Sequence, residues 1–182
     1  MSILDSNENV RPNNPIWDTV IRFGGYNGLV AIALSMAFYL LGVDSFSISG
    51  MLIASLLPLA ANIVFAVLSI KYQRDRVDGG YIKYSKAFSV GLLVILIGSV
   101  VSGIWNYLLV TVIDPGYIDT MKENFANSSF SGSIPPEAME EAMKGFDKIG
   151  DLSQSLLTGL GSGMFWGVIV GLIAAAALKK EH

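Results

Sequence analysis

The sequence predicts an all-α integral membrane protein with four transmembrane helices and an amphipathic helical outer loop between the third and the fourth. Three observations carry that prediction. Hydrophobic residues make up 52% of the 182 positions and charged residues only 15%, and the charges are gathered into a few short blocks. No charged residue stands between Lys86 and Asp114, a run that at ~1.5 Å rise per residue exceeds the ~30 Å hydrocarbon core of a bilayer. Near the C-terminus Gly159, Gly163, Gly167, Gly171 and Ala175 recur four apart, which lines small residues along one helix face and lets a neighbouring backbone approach.

The same composition removes several classes of function. With no cysteine the chain has no disulfide, thiolate nucleophile or cysteine metal site, and a lone His182 cannot assemble a histidine cluster, so no metal or other cofactor is expected. A net charge of −3 offers no basic face for a nucleic-acid partner.

Residues 1–15 are polar, contain Asn13-Asn14-Pro15 and lack an apolar period, and so form a loose cytoplasmic tail. A single domain, 16–180, follows. Its first helix, about 16–41, starts with Pro15 as an early helix residue and Trp17 at the interface, and Asp18 and Arg22, four apart, are expected to pair at headgroup level. The apolar run is too long and begins too late for a cleaved signal peptide. After a tight connection at 42–47 the second helix, about 49–70, contains Pro58 and Asn62, each of which calls for a neighbouring helix.

Lys71, Arg74, Arg76, Lys83 and Lys86 crowd the next connection, where Asp78-Gly79-Gly80 marks a turn and suggests a short hairpin. Ser85 is the expected cap of a third helix at 85–113. On a helical wheel Gly91, Gly98, Ser99, Ser102 and Asn106 fall within an arc of about 100°, a packing face, while Leu93, Ile97, Val101, Ile104 and Leu108 lie opposite and are assigned to lipid. The outer loop, 114–151, holds two helix-like pieces separated by the linker sequence at 127–133, and Met139, Met143 and Phe146 form a narrow stripe expected to face the bundle as a lid. Gly150 then stops one helix and Asp151, with Gln154, caps the fourth at 152–178.

Four stretches, GGYIKYSKAFSVG (79–91), WNYLLVTVIDPGYIDTMKE (105–123), the Met- and Glu-patterned 136–148 and GMFWGVIVGLIAAAALKKE (163–181), together resemble a family of small membrane proteins from Bacteroidota catalogued as domain of unknown function 4199. The resemblance runs from the first helix to the last. It implies four membrane helices, a cytoplasmic turn and a longer loop on the opposite side, and it implies no biochemical activity.

Candidate chemistry is sparse. Glu137, Glu140 and Glu141 would suit a hard cation but lack a calcium-loop pattern and read as a solvated helix face. GLGSG at 159–163 lacks the strand and the Lys-Ser or Lys-Thr of a phosphate loop. Asn62 and Asn106 are the amides expected deep in the bundle, where polar groups serve either as interhelical glue or as functional groups. No Asp, Glu, Lys, Arg or His lies well inside a span, which argues against a proton-coupled pump.

The leading expectation is therefore a non-enzymatic structural or interaction subunit in the lipid bilayer. It would pack through Gly91, Gly98, Ser102, Gly159, Gly163, Gly167 and Gly171, within the chain, in a homodimer or against another membrane protein. The alternative is a passive channel or carrier for a neutral solute or lipid, with Asn62, Ser99, Ser102 and Asn106 along its path. A polar cavity open to one side favours the second, a dry bundle the first.

Of the 12 basic residues only Lys122, Lys144 and Lys148 fall in the two connections assigned to the outside, so the positive-inside rule puts both termini in the cytoplasm of a bacterial inner membrane. Single Ser6→Cys and Ser131→Cys variants of this cysteine-free chain are expected to react with an impermeant maleimide from opposite sides. Labelling of Ser6→Cys from outside intact cells would reverse the topology.

Overall fold

The computed structural model describes residues 15–129 and 131–180; the polar tail at 1–14 and His182 lie outside the described residues. Among the described residues four helices are long and apolar enough to cross a membrane: α1 (Trp17–Leu40), α2 (Ile48–Tyr72), α3 (Tyr84–Leu108) and, after two shorter helices α4 (Tyr117–Ala126) and α5 (Pro136–Asp147), α6 (Leu152–Leu178). Even α1, with 24 residues, reaches about 36 Å at ~1.5 Å per residue. α2 and α3 each run on through one π-helical turn, Gln73–Val77 and Leu109–Ile113.

Helix α3 is the hub. It packs on α1, α2 and α6, and 39% of its most apolar stretch is buried against 6% for α2. Glycines make both main contacts close. Along α6, Gly159 meets Ser99, Gly163 meets Ser99 and Leu96, Gly167 meets Leu92 and Ile95, and Gly171 meets Phe88 and Leu92. A Cβ added at Gly167 would stand 2.8 Å from Leu92 Cδ1. On the opposite side α1 supplies Gly24 against Ile97 and Gly28 against Val101, where an added Cβ would lie 2.6 Å from Val101 Cβ. The wheel assignment of Ile97 and Val101 to lipid is thus corrected. Their branched side chains fill grooves that α1 opens by lacking side chains, while Ile104 and Leu108 of the same set are exposed.

The densest packing gathers at the end of the bundle where α2 passes to α3 and α6 stops. Val20, Ile70, Ile82, Ala87, Val90, Val94, Ala174 and Ala175 form one buried cluster, and Ala66, Ile95 and Val170 form another. A chain of hydrogen bonds ties the same end together: Thr19 Oγ1 donates to Gln73 Oε1 at 2.6 Å, Gln73 Nε2 to Asp78 Oδ1 at 3.2 Å, and Lys86 Nζ to that same oxygen at 2.9 Å. Gln73 is fully buried, and an unpaired amide there would be costly. Its pairing explains why the helix continues past the expected end near residue 70 and takes Lys71, Arg74 and Arg76 with it.

The expected hairpin is replaced by a long-range pairing in which Ile82 and Lys180 exchange two backbone hydrogen bonds of 3.1 Å. Gly79 and Gly80, at φ +68° and +98°, supply the left-handed turn before it. Two smaller expectations also change. α3 begins at Tyr84 without a side-chain cap from Ser85, and Arg22 sits 5.9 Å and 5.6 Å from the ring centres of Tyr26 and Tyr72 rather than pairing with Asp18.

At the other end aromatic rings do the joining. Phe46 from the α1–α2 connection, Phe125 of α4 and Phe146 of α5 stand 5.3–5.8 Å apart, centre to centre, and Lys122 Nζ reaches Asp147 Oδ1 at 2.5 Å. Tyr39 OH donates to Asp114 Oδ2 at 3.0 Å and stacks edge-on with Tyr117. Met139 and Met143 are half-buried. Asp151 caps α6, and hydrogen bonds from the Ser153 hydroxyl and the Gln154 and Ser153 amides hold its carboxyl below the usual range.

Gly167→Leu and Gly28→Leu are each expected to lower the thermal unfolding midpoint in detergent by the equivalent of about 1–3 kcal/mol, the usual effect of overpacking. Gly161→Leu, with nothing within 4 Å of its Cβ position, should leave the midpoint in place. Equal behaviour of all three variants would mean that the α3 contacts are not close.

Candidate functional site

The tight packing does not extend along the whole bundle. Apart from Gly50, the buried residues of α2 are Ala66, Ser69 and Ile70, and those of α6 begin at Gly163. Towards the α4–α5 end the two helices part, and a cavity of about 830 Å³ opens over α3, lined by all four long helices. Pro58 contributes to this. It has no N–H for the Ala54 carbonyl, and Ser55 Oγ turns back to the Met51 and Leu52 carbonyls at 2.7 Å and 3.2 Å, both of which bend a helix. Ala54, Ser55 and Pro58 all face the cavity.

Its deep end is an amide pair. Asn27 Nδ2 donates to Asn62 Oδ1 at 2.8 Å, with Asn27 buried under Gly98, whose missing side chain makes the space for it. Ser99 lies beside them but spends its hydroxyl on the Ile95 carbonyl. Ser102 and Asn106 of α3 and Gln154, Thr158 and Ser162 of α6 add further polar groups to the lining. Leu34, Phe38, Leu59 and Leu109 give the walls an apolar share, and Tyr117, Met121, Lys148 and Ile149 stand at the α4–α5 mouth. Trp105 Nε1 donates to Ser35 Oγ at 3.1 Å and fixes α1 against α3 beside the cavity.

The lining is neutral apart from Lys148 among the described residues. Burial, with the Asp114 carboxylate nearby, pushes the Tyr117 phenol above its ordinary range, so it stays protonated and able to donate. Amides, hydroxyls and a phenol in an apolar surround can hold an uncharged polar group by hydrogen bonds and its hydrocarbon by contact. Among the described residues no cluster of His, Cys, Asp or Glu is placed to hold a metal ion; Glu137, Glu140 and Glu141 lie exposed on α5, with Glu140 paired to Lys144 at 2.6 Å.

The sequence-predicted residues divide between two places. Asn62, Gly98, Ser102, Asn106 and Gly159 line the cavity, Gly98 and Gly159 being at helix contacts as well, whereas Gly91, Gly163, Gly167 and Gly171 lie at helix contacts next to it. Asn106 is corrected from buried to exposed, because it stands where the helices have parted. Gly98 meets Asn27 of α1. Asn27 itself is the residue that sequence reading missed. The signal was present, since an amide between Gly24 and Gly28 on an apolar helix sits on the one face that approaches a neighbour closely.

The family model described as protein of unknown function (DUF4199) matches residues 22–180. The chain belongs to that family. The DUF4199 match takes in every residue that lines the cavity, from Asn27 to Trp166. No curated protein and no solved structure matches the chain.

Asn62→Leu strands a buried amide on Asn27, whereas Asn106→Leu removes a group with no partner to orphan. The first should therefore lower the unfolding midpoint more than the second, and adding Asn27→Leu to Asn62→Leu should recover part of the loss. A double-mutant cycle with coupling below about 0.3 kcal/mol, against the ~0.6–1.7 kcal/mol known for membrane hydrogen bonds, would dissolve the pair.

Proposed function

We propose that this DUF4199 protein is a non-catalytic membrane protein that binds a lipid or another uncharged amphiphile in the cleft between α2 and α6 and acts as a passive carrier or holder for it. In this reading it lies in the bacterial inner membrane with both termini in the cytoplasm, and α4 and α5 cover the outer mouth of the cleft. One observation carries the proposal: Asn62, Ser102 and Asn106 share a single space with Leu34, Leu59 and Leu109, which is the mixed lining that an amphiphile requires. A volume of about 830 Å³ falls within the ~300–1,000 Å³ of small-molecule sites.

The alternative, a structural subunit that recruits a second copy or another membrane protein, rests on the glycine stripe of α6. That stripe is spent on α3 of the same chain, with Gly163, Gly167 and Gly171 all buried there, so the feature that would recruit a partner is occupied. This favours the cavity.

The test is extraction of the protein from its native membranes followed by mass spectrometry of what remains bound. The wild type should retain one class of amphiphile well above its share of the bulk lipid, and Ser102→Leu with Asn106→Leu, which fills the polar wall, should retain at least about tenfold less, a difference of 1.4 kcal/mol, without a change in unfolding midpoint. Bulk-like lipid on the wild type, or equal retention by the filled variant, would overturn the reading.

A further inference from the structure

We infer that the end of the bundle formed by the α2–α3 turn and the close of α6 is a docking surface for the phosphate headgroups of anionic lipids. The starting point is a surplus of cations that the chain does not neutralise. Asp75 is held by Arg74 through two hydrogen bonds, 2.7 Å from Nε and 3.0 Å from Nη2, and Asp78 by Lys86 at 2.9 Å. Lys71, Arg76, Lys83 and Lys179 are exposed, and none has a carboxylate within ion-pair distance among the described residues.

These cations are held in place rather than carried on loose tails. The π-helical turn at Gln73–Val77 extends α2 and presents Arg76 on ordered backbone, fixed through the buried Gln73. Arg74 Nη1 donates to the Leu178 carbonyl at 3.1 Å, and Lys180 is bonded through its backbone to Ile82, so Lys179 is set beside the end of α2. Lys180 Nζ lies 5.2 Å from the centre of the Tyr81 ring, and Arg22 rests against Tyr26 and Tyr72.

Position selects the partner. The cations ring the ends of apolar helices, at the depth where headgroups lie and where tyrosines are favoured. The opposite end of the bundle differs: Lys122 and Lys144 are each taken by a carboxylate, and the one remaining lysine there among the described residues, Lys148, stands against exposed Asp119, Glu123, Glu137 and Glu141. A phosphate headgroup therefore gains at one end only. This site is separate from the cleft and does not depend on it.

The experiment compares thermal unfolding of the full chain in phosphatidylcholine micelles with and without phosphatidylglycerol, with native mass spectrometry of retained lipid. Phosphatidylglycerol should raise the midpoint by about 3 °C or more and leave adducts, and about 0.5 M salt should shrink the rise. K71Q/R76Q/K83Q/K179Q should unfold as the wild type does in phosphatidylcholine yet lose the rise, whereas K144Q at the other end keeps it. Should the fourfold variant fail to fold, K71Q/K179Q is read in the same way with a partial loss. No preference for phosphatidylglycerol in the wild type, or a full rise in the variants, overturns the proposal. An equal rise with soluble glycerol phosphate or with polyglutamate would assign the surface to free phosphate or to an acidic protein and overturn it as well.

Discussion

The fold depends on how closely two helices can approach α3 from opposite sides. In lipid there is little hydrophobic gain from bringing apolar helices together, so association rests on van der Waals contact and on satisfied polar groups. Contact of that kind falls off within a fraction of an ångström. Gly24 and Gly28 of α1 receive Ile97 and Val101, and Gly167 and Gly171 of α6 receive Leu92 and Phe88. With both flanks of α3 taken, α2 buries Ala66, Ser69 and Ile70 in its last turns and farther out is tied in through Leu59 and the Asn62–Asn27 hydrogen bond. The cleft is what remains where α2 has no such partner. Cavity and glycine contacts therefore lie side by side along the same helices, with Gly98 and Gly159 belonging to both.

Much of this was legible in the chain. Charge-free runs and block charges marked the four long helices to within one or two residues at most ends, because length and hydropathy are local properties that a bilayer reads directly. The α6 stripe was legible for the same reason. A wheel drawn for one helix says which side is small, but it cannot say how many neighbours surround it, and so Ile97 and Val101 were assigned to lipid although α1 covers them. The pairing of Ile82 with Lys180 joins the middle of the chain to its C-terminal end, 98 positions away, and no local pattern encodes it. Asn62 and Asn106 stood out as amides in apolar helices, yet only the divergence of α2 and α6 makes one the deep end and the other the wall of a single space.

The two ends of the bundle are closed by different physics. The Thr19–Gln73–Asp78–Lys86 chain and the Ile82–Lys180 pairing are directional, and each group has its partner. The Phe46–Phe125–Phe146 cluster is an assembly of rings that tolerates sliding. No residue of α4 or α5 is buried, so hydrogen exchange is expected to be faster there than at the Thr19–Gln73–Asp78–Lys86 end.

The position of α6 in the chain also bears on synthesis. The ridge that fills one flank of α3 is translated only after the long connection through α4 and α5, so when α3 is first made its Ser99, Gly103 and neighbouring small residues have no α6 to meet. α1 is already available to it, through Gly24 and Gly28. Order of translation therefore lets α1 pack on α3 before α6 exists, leaving one flank of α3 open until the fourth long helix is made.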